Sequence, residues 1–223
     1  MVLAAGAWLG EALASDGFRW TPSKLRLQRN VDGLKHQVHV QPRPYNRTGE
    51  CVEVGTILNV RDRALARWRQ ANPDRVISGG DAVCGHQLGY AAGRSDGRLY
   101  GDVSDGDIDL TDPAQREQRL QRFVSMFREA ILPWFAEASE PGLIVGSRAG
   151  DHTNDPTSVV EWLASRDRPD LIAAYAQRYL SRIADADESY AKGVAMARSG
   201  QSSPSTTNQA TALGWSVTRL TET

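Results

Sequence analysis

Residues 24–41 read Lys24-Leu25-Arg26-Leu27-Gln28-Arg29-Asn30-Val31-Asp32-Gly33-Leu34-Lys35-His36-Gln37-Val38-His39-Val40-Gln41, and their period decides the fold. Apolar and polar residues alternate, as they do in a strand with one buried and one wet face. Leu25 and Leu27 share one face, and Lys24, Arg26 and Gln28 the other. Val31-Asp32-Gly33 supplies a turn, because Asp and Gly tolerate the positive φ of a tight hairpin. After it, Leu34, Val38 and Val40 point inward, while Lys35, Gln37, His39 and Gln41 point outward. His36 shares the apolar parity and needs a hydrogen-bond partner if it is buried.

Working outward, Phe18-Arg19-Trp20 reads as a short first strand, and Pro42 and Pro44 end the third. Cys51 to Val60 reads as a fourth, with Val52, Val54, Leu58 and Val60 on the buried parity and Glu53 facing out. A sheet with one apolar face must be covered, and flanking helices are the natural cover. One is expected over Ala4 to Ala14, with Trp8, Leu9 and Leu13 facing the sheet and a left-handed cap at Gly17. Another is expected over Asp62 to Ala71. The clearest begins at Asp112-Pro113-Ala114-Gln115, a capping signature, and carries Leu120, Phe123, Val124, Phe127, Ile131 and Trp134 at helical spacing. Arg116, Arg119, Arg122 and Arg128 form its solvated side, and Pro133 should kink or end it. Asp155-Pro156 opens a further helix, and Pro169-Asp170 another, which Asp187 to Arg198 extends. Beyond Ser199 the polar composition predicts a mobile tail. Within it, Leu213, Gly214, Trp215 and Val217 read as a docking or recognition segment.

The chain has 223 residues and a net charge of −1, unevenly spread. Residues 1–80 carry 12 Lys+Arg against 7 Asp+Glu, and residues 81–223 carry 14 against 20, so the halves differ as +5 and −6. That asymmetry is modest: it could steer an acidic partner towards the sheet half, but two solvated surfaces are the simpler reading. Two cysteines, Cys51 and Cys84, do not suggest a disulfide framework or a zinc site and suit a reducing, cytoplasmic home. The apolar run Val2 to Leu9 lacks the basic flank of a signal peptide, and no run is long enough to span a bilayer. On that reading the Asn46-Arg47-Thr48 sequon has no consequence.

Chemistry-bearing patterns are weak. Gly85-His86-Gln87-Leu88-Gly89 lacks the Gly-Lys-Ser/Thr ending of a phosphate loop and the strand-to-helix setting of a dinucleotide fingerprint. Leu99-Tyr100-Gly101 reads as a short strand. Asp102, Asp105, Asp107 and Asp109 form the densest acidic cluster, but their spacing is not that of a calcium loop. Cys84 with His86, or His152 beside Asp151 and Asp155, would serve a nucleophile or base only if the groups converge in space. No catalytic residues, cofactor or metal are assigned.

Gly17-Phe18, the basic hairpin, Val38 to Gln41, the Val-x-Val strand with Gly55, the Cys84 segment and Leu132-Pro133-Trp134-Phe135 together resemble a widespread bacterial family, the domain of unknown function 4304 family, over roughly residues 4–145. The resemblance implies an α+β domain with helices packed on an antiparallel sheet, and it brings no active site. Bacterial domains of this kind serve, by analogy, as immunity or defence accessories.

The expectation is an α+β protein, an antiparallel β-meander packed against helices with a C-terminal helical extension. Its parts would be a sheet domain at 1–150, a helical extension packed on it at 151–199 and a mobile tail at 200–223. The function expected is a non-catalytic protein-binding or accessory module whose partner meets Arg26, Gln28, Gln37, His39, Gln41 and Glu53. The alternative is a hydrolase-like or metal-dependent enzyme using His152 or the loop Asp102–Asp109. The partner expected is a protein, with neither nucleic acid nor membrane involved. There is no strong basic stripe and there are few aromatics outside the expected core, so neither phosphate tracking nor base stacking is well supported.

Overall fold

The computed structural model describes residues 1–47, 49–93 and 107–222. It is an α+β fold built on an antiparallel sheet. By compactness the chain divides into two units, residues 1–60 with 86–136 and residues 61–85 with 137–223. The chain passes from the first unit to the second after residues 60 and 136 and returns to the first after residue 85. Leu99-Tyr100-Gly101, Asp102, Asp105 and Thr48 lie outside the described residues.

In the first unit, α1 (Val2–Ala12) runs into a 3-10 turn closed by Gly17 at φ 84°. Then come β1 (Arg19–Thr21), β2 (Arg26–Val31), β3 (Leu34–Pro42) and β4 (Glu53–Asp62). With β5 (Ala82–Gln87) they form the order β1-β2-β3-β4-β5, and β6 (Ile108–Asp109) pairs antiparallel with β4. The register joins Val31 to Leu34 across Asp32 and Gly33, whose φ values of 50° and 83° are those of a two-residue hairpin turn. Leu25 is not an inward strand residue as expected. It sits at φ 45°, ending a 3-10 turn, and β2 begins one residue later.

The inward parity makes a core. Leu27, Val38, Val40, Val54, Leu58 and Val60 are buried, as are Leu9 and Leu13, while Trp8 is half-buried. Each fully buried side chain of this kind contributes about 1.5–3 kcal/mol relative to exposure. Gly6 and Gly10 explain why α1 lies so close to the sheet. The Trp20 ring occupies the space a Gly6 side chain would fill, and a Cβ on Gly10 would stand 2.7 Å from Trp20 Cβ.

The predicted apolar stripe also holds, since Leu120, Phe123, Val124, Phe127, Ile131 and Trp134 are all buried. Its helix starts later than Pro113, after a turn in which Asp112 accepts from Ala114 N at 2.9 Å. After the short α3 (Leu88–Ala91) that follows β5, the run is α4 (Arg116–Met126), a π turn at Phe127–Ile131, then α5 (Leu132–Ala138). Pro133 therefore does not end the helix. The wider turn before it makes room for a ring that would otherwise crowd the preceding carbonyls. The arginines of this helix are not merely solvated. Arg116 donates to Leu110 O, Arg119 pairs with Asp109, and Arg128 pairs with Asp16 at 3.0 Å. Phe18 anchors the cover, edge-on to Phe127 at 5.3 Å and tilted against Phe135 at 5.9 Å.

The second unit contains α2 (Arg63–Ala71), α6 (Pro141–Ile144), α7 (Arg148–Asp151), α8 (Pro156–Ser165), α9 (Ile172–Leu180), α10 (Ala186–Arg198) and α11 (Gln209–Thr221). Asp155 caps α8 as its Asp-Pro start predicts, accepting from Thr157 N and Ser158 N. Asp62 caps α2 through Ala64 N and also accepts from Trp162 Nε1 at 3.0 Å. Arg69 and Glu161, both buried, pair at 2.7 Å. Arg69 adds bonds to Gly79 O, Gly80 O and Ser158 Oγ, and Glu161 accepts from Ile77 N and Ser78 N. This network fixes the glycine-bearing segment between α2 and β5. The expected continuation of the second extension helix breaks at Asp185, at φ 55°, before α10 starts.

The predicted mobile tail contains α11, a capped and packed helix. Asn208 accepts from Thr211 N at 3.0 Å, and Leu213, Trp215 and Leu220 are buried. Ala210, Leu213, Val217 and Leu220 recur at helical spacing, a period hidden by the polar run before them. Two glycines let α10 and α11 meet backbone to backbone. A Cβ on Gly193 would overlap Thr211 O, and one on Gly214 would overlap Tyr190 O.

Candidate functional site

The outward parity of β1, β2 and β3 assembles most of the residues singled out in the sequence. Arg26 stands opposite His39 and Gln28 opposite Gln37, with Arg19 and Thr21 next to them on β1. Gln37 Nε2 donates to Gln28 Oε1 at 2.9 Å. Gln41 follows His39 on the same face and is exposed. Arg26, Gln28 and His39 are half-buried, their long side chains lying along the sheet. Gln37 departs from the expectation of a solvent-facing residue. It is 2% exposed, because it stands mid-strand on β3 with Gln28 folded against it.

Glu53 keeps the outward parity of β4 but is engaged elsewhere. Its carboxylate accepts from Tyr45 Oη at 2.8 Å, and its backbone exchanges bonds with the Asn46 side chain. The Tyr45 phenol is pushed up to about 12, first by that bond. Glu53 therefore secures the turn after β3. Beside it, Gln41, Arg43, Gly55, Thr56, Gln87 and Asp107 line a cleft of about 210 Å³. Arg43 pairs there with Asp107, and Gly55 leaves the room, since a Cβ on it would sit 3.0 Å from the guanidinium carbon. Sequence reading did not single out Arg43. Its signal was its place between Pro42 and Pro44, which hold the backbone extended.

The groups offered for catalysis are occupied. Cys84 is buried, and burial pushes its thiol up to about 12, away from the thiolate that nucleophilic attack requires. His152 is pushed below its ordinary value, first by burial and then by the Arg182 guanidinium, whose Nη2 lies 3.1 Å from Nδ1. Its neighbours are committed as well. Asp151 pairs with Arg178 at 2.8 Å, and Asp155 accepts from Ser78, Thr157 and Ser158 while capping α8. Of the acidic loop, Asp107 is paired with Arg43 and Asp109 with Arg119. Burial raises Asp109, but its bonds from Thr111 and Arg119 outweigh that and hold it below its ordinary value. Among the described residues no His, Cys, Asp and Glu cluster has the geometry to hold a metal ion. No described helix is long and apolar enough to cross a membrane.

A larger hollow, of about 820 Å³, lies in the second unit between α10 and the segment leading into α11. Its polar wall is spoken for in part, since Asn208 caps α11 and donates to Ser189 Oγ at 3.2 Å. Compared with family models, curated proteins and solved structures, the chain matches none of them.

Proposed function

We propose that this chain is a non-catalytic protein-binding or accessory module of the cytoplasm, and that its partner meets the outward face of β1, β2 and β3. One observation carries the reading. The hairpin register sets Arg26 against His39 and Gln28 against Gln37, so four separate polar side chains become one contiguous patch on rigid strands. A patch on strands presents fixed donors and acceptors at little ordering cost, which suits recognition. The occupied states of Cys84, His152 and Asp109 favour binding over the hydrolase-like alternative. The same proposal takes the chain as a relative of the 4304 family over residues 4–145, with a defence or immunity role by analogy.

The test is affinity capture of the tagged full chain from its native host, comparing wild type with the double variant Arg26→Ala and His39→Ala. The reading expects a stoichiometric protein that is lost with the double variant, whose thermal midpoint stays at the wild-type value. A partner retained at full strength by the variant would remove this face from the account.

A further inference from the structure

We infer that the cleft over Gly55 seats an aromatic side chain with a polar tip, a tyrosine of the partner protein. This rests on the binding reading above and adds the group by which the partner is anchored.

The cleft continues the outward side of the sheet. Gln41 belongs to that side of β3 and also lines the cleft, and Gly55 and Ile57 share the outward parity of Glu53 on β4. Position 55 has no side chain, and Arg43 lies over the gap: a Cβ there would be 3.0 Å from both its Cζ and its Nε. Asp107 holds that guanidinium in place. The space left is about 210 Å³. A cavity of about 150 Å³ takes up benzene, so one ring with a substituent fits here. Pockets for whole small-molecule ligands begin at roughly 300 Å³, so the size suits a single side chain better than a metabolite.

The walls select the occupant. Pro42, Pro44 and Ile57 supply apolar surface that is still reached from outside, and the planar Arg43 guanidinium is a surface on which an aromatic ring packs. Arg43 and Asp107 neutralise one another, so a charged occupant would enter without a counter-ion. A neutral group is favoured. Two amides read its polar tip. Gln41 is exposed and Gln87 half-buried, both line the cleft, and neither side-chain amide has a hydrogen-bond partner among the described residues. Each can donate and accept, as a phenol hydroxyl can. Tyrosine combines the ring with that hydroxyl, and it is among the residues in which binding energy concentrates when a pocket encloses them.

The probe is N-acetyl-L-tyrosinamide, titrated into the isotopically labelled full chain, with the phenylalanine and leucine analogues as comparisons. It should move the side-chain amide signals of Gln41 and Gln87 and the backbone amides of Arg43, Gly55, Ile57 and Gly89. The phenylalanine analogue should bind about threefold to tenfold more weakly, the worth of one neutral hydrogen bond, and the leucine analogue more weakly still. Gly55→Val, which fills the cleft, should abolish the shifts. That variant also crowds Arg43, so Gln41→Ala with Gln87→Ala is the second: it leaves the strands paired, and its affinity for the tyrosine probe should fall to that for the phenylalanine analogue. Shifts confined to other surfaces, or equal affinity for the leucine analogue, would overturn the assignment. The two layers fail separately. A captured partner that depends on Arg26 and His39 but is held at full strength by both Gly55→Val and Gln87→Ala would refute the tyrosine anchor and keep the face. Capture indifferent to all four positions, with probe shifts still at the cleft, would refute the face and give the cleft to a free phenolic ligand.

Discussion

His36 shows how one residue can be misjudged by type and understood by environment. It has the parity of the core, is 1% exposed and stacks on Phe135 at 4.5 Å. Its Nδ1 accepts from Arg29 Nε at 3.1 Å, so the partner that its parity demanded lies directly across the hairpin. Burial, and then the Arg29 charge, lower its value from 6.5 to about 4. A protonated His36 would lose that bond and place two cations together. The unfolded chain therefore takes up the proton first, and the native state is favoured fully above pH 6.5 and progressively less as pH falls towards about 4. The loss across that window is about 3 kcal/mol at 1.36 kcal/mol for each pH unit. Urea melts near neutral pH and near the lower end should show it, and His36→Leu should flatten the slope. A slope as steep in the variant would contradict the assignment. At the same scale, Glu161→Ala strands the buried Arg69 and should destabilise by about 3–5 kcal/mol in a denaturant melt, since a buried charge loses its counter-ion. A change within the range of an ordinary surface substitution would contradict it.

At the scale of elements, period was the legible signal. The β2 to β3 hairpin, the Asp155-Pro156 cap and the stripe from Leu120 to Trp134 could all be read because alternation, capping residues and helical spacing are local properties. What was not legible depended on a second segment. Pro133 is locally a breaker, but the helix is held on both sides of it by buried Phe127, Ile131, Trp134 and Phe135, and it takes a π turn rather than stopping. Leu213 to Val217 looked isolated because its packing surfaces, α8 and α10, lie far away in sequence, and because Gly193 and Gly214 say nothing until they face each other's backbones. Gly214→Val should force α10 and α11 apart and destabilise by about 1–3 kcal/mol or more, as overpacking does. It should also raise the exchange rates of amides in residues 209–221. Wild-type stability in this variant would show that the two helices do not meet through these glycines.

For the whole molecule, the candidate patch was partly visible before the structure. Alternation gave the face and named Arg26, Gln28, Gln37, His39 and Gln41. It could not give cross-strand pairing, the burial of Gln37 or the engagement of Glu53 by Tyr45, which depend on register and on the turn at residues 43–47. The central claim is that this face, and not the hollow beside α10, is where the protein works. Hydrogen exchange of the full chain, alone and with its captured partner, tests it most directly. The account predicts slowed exchange in residues 19–21, 26–30 and 35–41. Protection confined to residues 183–211 would contradict it.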